Sequence, residues 1–169
     1  MKQRSLFIRV IIFFVTLAGF IALFYYKDTN AYYNLPVLEF KTINGNTIET
    51  KDFINDNIPC AILFFHPDCS FCENEIKEVL ASCVKGSNYE WLMITVASKD
   101  QAELYFHSFN IDIARNIHII SEEESLQAYR IYDVSSPPAI FIYNSNGKLI
   151  WHRKGETKSG EIAKINNKK

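Results

Sequence analysis

Hydrophobic and polar positions divide this chain into one unbroken apolar run near the N-terminus and a series of shorter segments with strand or helix spacing. Val37-Leu38-Glu39-Phe40-Lys41-Thr42 alternates as a strand does, Asn44-Gly45 marks a hairpin turn, and Thr47-Ile48-Glu49 returns as the second strand. Asp52 to Ile54 reads as a helical turn, and a polar loop at 55–57 leads to Pro59. Cys60 to Phe65 is continuously apolar, as expected of a strand buried on both faces. From Ser70 to Val84 the apolar positions Cys72, Ile76, Val79, Leu80 and Cys83 follow helical spacing, and Lys85-Gly86 supplies a stop.

The second half repeats the alternation. Trp91 to Ala97 is a buried strand, and Asp100 is a cap for a helix from Gln101 to Phe109. Ile117 to Ile120 is a short strand, and Ser121-Glu122-Glu123-Glu124 reads as a capping box opening a helix through Tyr129. After Pro137-Pro138, the strand Ala139 to Tyr143 turns at Asn144-Ser145-Asn146-Gly147 into a last strand, Lys148 to Trp151. A weakly amphipathic helix carrying Ile162 and Ile165 closes the chain. Strands alternating with helices, framed by two hairpins, predict an α/β fold: a central mixed sheet with helices on both faces.

The N-terminal run differs. Lys2, Arg4 and Arg9 precede Val10 to Tyr26, which carries no charge. As a helix those residues span roughly 25 Å, and counting back to Leu6 with Arg9 snorkelling gives about 30 Å, the hydrocarbon thickness of a bilayer. Tyr25 and Tyr26 stand where an aromatic belt is expected. A cleaved signal peptide is the alternative, but no small-x-small site follows Tyr26 directly. Residues 1–27 are therefore expected to be a signal anchor, 28–35 a polar tether, and 36–169 one folded domain. The basic residues lie before the span, which predicts a cytoplasmic N-terminus and a domain facing the extracytoplasmic side of a bacterial inner membrane. The near balance of 18 Lys and Arg against 19 Asp and Glu offers no basic footprint for nucleic acid.

Chemistry concentrates at His66-Pro67-Asp68-Cys69-Ser70-Phe71-Cys72, where a strand gives way to a helix. Three readings fit a Cys-x-x-Cys pair: half of a zinc site, a redox dithiol, or two inert core cysteines. A structural zinc site normally uses four ligands, whereas Cys60 and Cys83 stand alone and no His pair has finger spacing. Inert cysteines would need neither the Pro-Asp turn before them nor the helix start behind. The strand-turn-helix context favours the dithiol, with one thiol at the positive end of a helix and the other a turn away.

With these residues in view, the stretch from Leu35 to Trp151 resembles the thioredoxin-like family, in particular its membrane-anchored TlpA/ResA-type thiol-disulfide oxidoreductases. The N-terminal hairpin, the Cys-x-x-Cys and the run from Val134 through Pro138 to Phe141 carry the resemblance. It implies a thioredoxin-like fold, with Cys69 as nucleophile, Cys72 as resolving thiol, and Pro138 as a cis proline shaping the substrate groove. No cofactor is implied beyond the Cys69–Cys72 disulfide itself, and no metal. The implied partners are client protein thiols and disulfides and an upstream membrane electron donor.

Departures from the family pattern sharpen the site. Asp68 replaces the usual Trp, Ser70-Phe71 the usual Gly-Pro, and Leu63 the buried Asp. Phe71 and Pro137 are assigned to the groove, and Pro137, having no N–H, removes one main-chain bond to a bound peptide. Glu75 matches the ResA-type glutamate and is either a proton handler for Cys72 or a solvated helix residue. Asp68, Glu73 and Glu75 together oppose the helix dipole at Cys69, which suits a reductant better than a strong oxidant. Cys60 and Cys83 are expected at the same end of the fold, as a structural disulfide or as two buried thiols. The rival functions are a Sco-like copper chaperone and a non-catalytic docking module.

Overall fold

The computed structural model describes residues 2–29, 31–84, 89–109, 116–121, 123–158 and 160–166. In chain order its elements are α1 (Lys2–Thr29), β1 (Glu39–Lys41), β2 (Thr47–Glu49), α2 (Thr50–Asn55), β3 (Cys60–Phe64) and α3 (Ser70–Val84). They continue with β4 (Glu90–Ile94), α4 (Lys99–His107), β5 (Ile117–Ile120), α5 (Glu123–Ile131), β6 (Ala139–Tyr143), β7 (Leu149–Lys154) and α6 (Glu161–Asn166). β1 and β2 pair as a separate hairpin, and five strands form a mixed sheet of order β5-β4-β3-β6-β7.

β3, β4 and β5 are parallel, and β6 and β7 run against them. Right-handed crossovers between neighbouring parallel strands put α3 and α4 on one face. The chain then returns across the sheet to β6, and α5 packs on the other. Alternation along β3 feeds both layers. Ala61, Leu63 and Phe65 join Ile76, Val79 and Phe106 on the α3 face, while Cys60, Ile62 and Phe64 join Tyr132, Phe141 and Leu38 on the α5 face. This is why the run from Cys60 is unbroken in hydrophobicity: both of its faces are core.

The same alternation decides between the two readings of Cys60 and Cys83. Matching lengths of strand and helix bring both residues to one end of the fold, but they belong to opposite sides of the sheet, Cys60 in the α5-side core and Cys83 against the α3-side core. Neither is disulfide-bonded.

The segment 28–35, expected as a polar tether, is docked over part of its length. Leu35 N–H donates to Gly147 O at 2.8 Å, Leu149 N–H to Tyr33 O at 3.0 Å, and Asn34 bridges Lys148 in antiparallel sense. Tyr143 Oη donates to Tyr32 O at 2.7 Å. These residues cover the Leu149 end of the open edge of β7, and at the other edge Ile43 N–H donates to Ile119 O of β5. Each edge of the sheet is thereby partly covered by the N-terminal segment. Gly147 meets two demands at the turn: its φ is +69°, and an added Cβ would lie 2.8 Å from Ile54 Cδ1.

Smaller differences have local causes. α4 is capped by Ser98, whose hydroxyl accepts the Gln101 N–H while the Gln101 side chain accepts the Ser98 N–H; Asp100 lies within the first turn. α2 begins at Thr50 because its buried hydroxyl bonds Pro36 O and the Leu38 N–H. The Lys85-Gly86 stop and Glu122 of the expected capping box lie outside the described residues, as do the side chains of Tyr25 and Tyr26. Among the described residues no helix is long and apolar enough to cross a membrane. The described side chains of α1 are Arg4 and residues 8–23, and residues 8–23 are exposed throughout.

Candidate redox-active site

β3 delivers the chain to His66, and a tight turn through Pro67 and Asp68 sets Cys69 immediately before α3. The Cys69 N–H donates to His66 O at 3.0 Å, and Asp68 N–H donates to His66 Nδ1 at 3.2 Å. Cys69 and Cys72 are joined by a disulfide, with Cα atoms 5.3 Å apart. Cys69 Sγ accepts the Cys72 N–H at 3.2 Å, so the sulfur faces the positive end of the helix. Cys69 is half-buried and Cys72 wholly buried. An incoming sulfur therefore reaches Cys69 first and meets Cys72 only from within.

The facing wall comes from β6. Its register sets Ala139 opposite Phe64, so Pro138 lies level with the end of β3 and beside the disulfide. The Pro137–Pro138 bond is cis. Pro138 O accepts the Gly155 N–H at 2.8 Å and is committed to the sheet, whereas Pro137 O lies 4.0 Å from Cys69 Sγ. With no N–H at either proline, the Pro137 carbonyl is the main-chain group this pair presents to the groove. Phe71 is 55% exposed between the two cysteines.

Of the two readings open for Glu75, the solvated helix residue does not hold. It is 2% exposed, Thr157 N–H donates to its Oε1 at 2.7 Å, and its Oε2 has no protein partner. Burial raises its pKa, and Glu156 and Glu78 push it the same way. Glu78, one turn on, accepts the Gly160 N–H at 2.8 Å. The two carboxylates pin the 157–160 segment to α3 and line a cavity of about 380 Å³ with Asn74, Glu156 and Thr157. Glu78 carried no sequence signal beyond its three-residue spacing from Glu75.

The acidic screen around Cys69 is thinner than three carboxylates imply. The Asp68 side chain is largely in solvent, Glu73 is paired with Lys77 Nζ at 2.5 Å, and burial favours the neutral form of Glu75. Two tyrosines were missed by sequence reasoning. Tyr129 Oη donates to Phe65 O at 3.2 Å, and Tyr105 stacks on Phe65 with burial pushing its pKa up to about 12. Among the described residues no group of three or more His, Cys, Asp or Glu is arranged to hold a metal ion.

Several solved structures share this architecture. One is MTB dsbF in mixed oxidized and reduced forms, with a TM-score of 0.66 at 13% identity over 80% of this chain and 95% of that one. The fold is thioredoxin-like. A secreted Mycobacterium tuberculosis disulfide oxidoreductase homologous to E. coli DsbE matches at TM-score 0.62 and 15% identity, covering 76% of this chain and 91% of that one. A thioredoxin-like protein from Porphyromonas gingivalis is 25% identical, with a TM-score of 0.58 over 79% of this chain and 88% of its own. No family model and no curated protein matches the sequence. The thioredoxin-like fold explains the layout of the site: the dithiol opens the helix after the central strand, and the cis proline opens the antiparallel strand beside it.

Proposed function

We propose that this chain is a thiol-disulfide oxidoreductase that reduces client disulfides through Cys69 and Cys72. In the reduced enzyme the Cys69 thiolate attacks one sulfur of a client disulfide; that bond breaks and the other client sulfur leaves and takes up a proton. Cys72, as thiolate, then attacks Cys69 Sγ. The mixed disulfide breaks, the second client sulfur leaves and takes up a proton, and the two electrons lost in forming the Cys69–Cys72 disulfide end on the two client thiols. A dithiol donor regenerates the enzyme by the reverse exchange. The carrying observation is the asymmetric pair, one sulfur half-exposed at a helix start and bonded to one fully buried, against the cis Pro137–Pro138 wall. Glu75, one turn beyond Cys72 and biased toward its neutral form, is suited to give or take the resolving thiol's proton.

The TlpA/ResA-type reading adds location. Residues 10–23 of α1 carry no charge on any side, rather than being apolar along one stripe, the pattern of a helix surrounded by lipid. Thr16 Oγ1 donates to Phe13 O at 2.9 Å, so this hydroxyl is satisfied within the helix, as lipid requires. With Lys2, Arg4 and Arg9 at its start, α1 is read as a single-pass anchor of a bacterial inner membrane, the domain facing outward and drawing electrons from a membrane donor.

The test is turnover and trapping together. Cys69→Ser should reduce disulfide-reductase activity to background, and Cys72→Ala should accumulate mixed disulfides through Cys69. Wild-type turnover by the Cys69→Ser protein would overturn the assignment, and a docking module without chemistry would show no turnover in either form.

A further inference from the structure

The wall that faces Cys69 hangs on two consecutive residues, Lys154 and Gly155, where β7 ends. After α5 the chain runs from Asp133 through buried Val134, exposed Ser135 and Ser136, and Pro137 to Pro138, and β6 begins at Ala139. Register pairs Ala139 with Lys154, the last residue of β7. Lys154 Nζ donates to Asp133 O at 2.5 Å and to Asp133 Oδ2 at 3.0 Å. The N–H of Gly155 donates to Pro138 O at 2.8 Å. Lys154 thus holds the first residue of the 133–138 loop, and Gly155 holds the last.

The chemistry of the first anchor suits a lysine. Asp133 has a φ of +49°, a left-handed conformation uncommon for a residue with a side chain. Around it the N–H groups of Tyr132, Asp133 and Val134 close α5 by donating back to Ala128, Arg130 and Tyr129 O. Asp133 O, beyond the helix, takes its bond from the ammonium, whose charge is favoured at the negative end of a helix. Lys154 Nζ also lies 5.8 Å from the centre of the Tyr32 ring, which packs against Phe141, Tyr132 and His152. The Asp133 carboxylate is 90% exposed, so the ion pair itself contributes little. The bond to the carbonyl is the one that fixes backbone.

We propose that Lys154 is a positioning residue for client binding: by tying Asp133 to the end of β7, it sets where Pro137 O stands over Cys69 Sγ, 4.0 Å away. With no N–H on Pro137, that carbonyl has to carry the main-chain contact alone, and a hydrogen bond weakens steeply as its acceptor is displaced. The proposal rests on the reading of the dithiol as a reductant of client disulfides. It adds what is recognised, a main-chain N–H of the client beside the cysteine that Cys69 attacks. Lys154 itself touches neither client nor sulfur and acts through the loop.

Steady-state reduction by the full-length protein in detergent, with dithiothreitol as the dithiol donor, tests this on two disulfides. One is a peptide closed by a single disulfide; the other is hydroxyethyl disulfide, which has no main chain to lay against Pro137 O. Lys154→Met keeps the apolar stem beside Tyr32 and removes the donor. It should raise KM for the peptide by about three- to tenfold, the range of one hydrogen bond, with kcat unchanged. The rate with hydroxyethyl disulfide should stay within about twofold, since no such bond is made there. Lys154→Arg, which keeps a charged donor, should recover most of the peptide KM. An unchanged peptide KM in Lys154→Met overturns the positioning role. A loss shared equally by both disulfides also overturns it, because the damage is then to the site as a whole. Failure of the wild type to reduce either disulfide would overturn the oxidoreductase reading and this proposal with it.

Discussion

Two pairs of cysteines occupy this domain, and their surroundings rather than their spacing separate them. Cys69 and Cys72 sit at the mouth of α3, bonded to each other, with one sulfur near solvent and the helix amides. Cys60 and Cys83 are divided by the sheet, and Cys60 is 1% exposed with its thiol pKa driven up by burial and by Glu90 in the facing register position. Each pair also has a carboxylate nearby. Glu90 is occupied by His118 Nε2 at 2.6 Å, whereas Glu75, one turn beyond Cys72 on α3, keeps one oxygen unpartnered. A thiol becomes chemistry here through exposure, a helix terminus and an available proton site; without them it is packing.

The largest effect that could break this contrast is a labelling rate. After reduction, a maleimide pulse under native conditions should modify Cys69 rapidly. Cys60 should react at least about 10³-fold more slowly, because its thiol is reached only in rarely opened molecules. Peptide mapping at successive times reads both rates in one sample. Comparable rates at the two residues would mean that the burial difference does not govern reactivity.

Much of this contrast was legible in the residues. Cys69 and Cys72 announce themselves through the Pro-Asp turn and the helical spacing of Ile76 and Val79, whereas Pro138 came only from what the resemblance implied. Cys60 misled because strand and helix lengths report which end of a fold a residue reaches but not which face. The face follows from alternation within β3, which an all-apolar strand hides. Glu75 stayed undecided between a proton handler and a surface residue because a charged residue on a helix is usually exposed. Its burial depends on Thr157, more than eighty positions away, whose N–H it accepts. The docking of Tyr32 was hidden for a similar reason: its partners His152, Tyr132 and Phe141 come from three distant elements.

Cys60→Ser gives the next largest effect and separates packing from catalysis. A hydroxyl would replace the thiol beside Tyr132 and Tyr143, whose own hydroxyls are 3.2 Å apart and engaged with each other and Tyr32. Burying it without a good partner should lower stability by about 1–3 kcal/mol in urea unfolding. Disulfide-reductase activity per folded molecule should be unchanged. Loss of activity at full folding would give Cys60 a role in the chemistry and dissolve the contrast.

The smallest effect is a slope with pH. Burial raises the Glu75 pKa above its ordinary 4.5, with Glu156 and Glu78 facing it and acting in the same direction. The native state therefore holds this proton more tightly than the unfolded chain. Its contribution to stability is fully present below about 4.5 and is lost as pH rises through the raised native value. Glu75→Gln keeps an acceptor for the Thr157 N–H but cannot ionise. The stability of wild type relative to this variant should fall as pH rises from about 4.5 and then level off once the native carboxyl is charged. Urea unfolding of both proteins across that range reads the difference directly. A relative stability that rises with pH would show a carboxylate stabilised in its charged form, and Glu75 would then hold the 157 loop without serving as a proton site for Cys72.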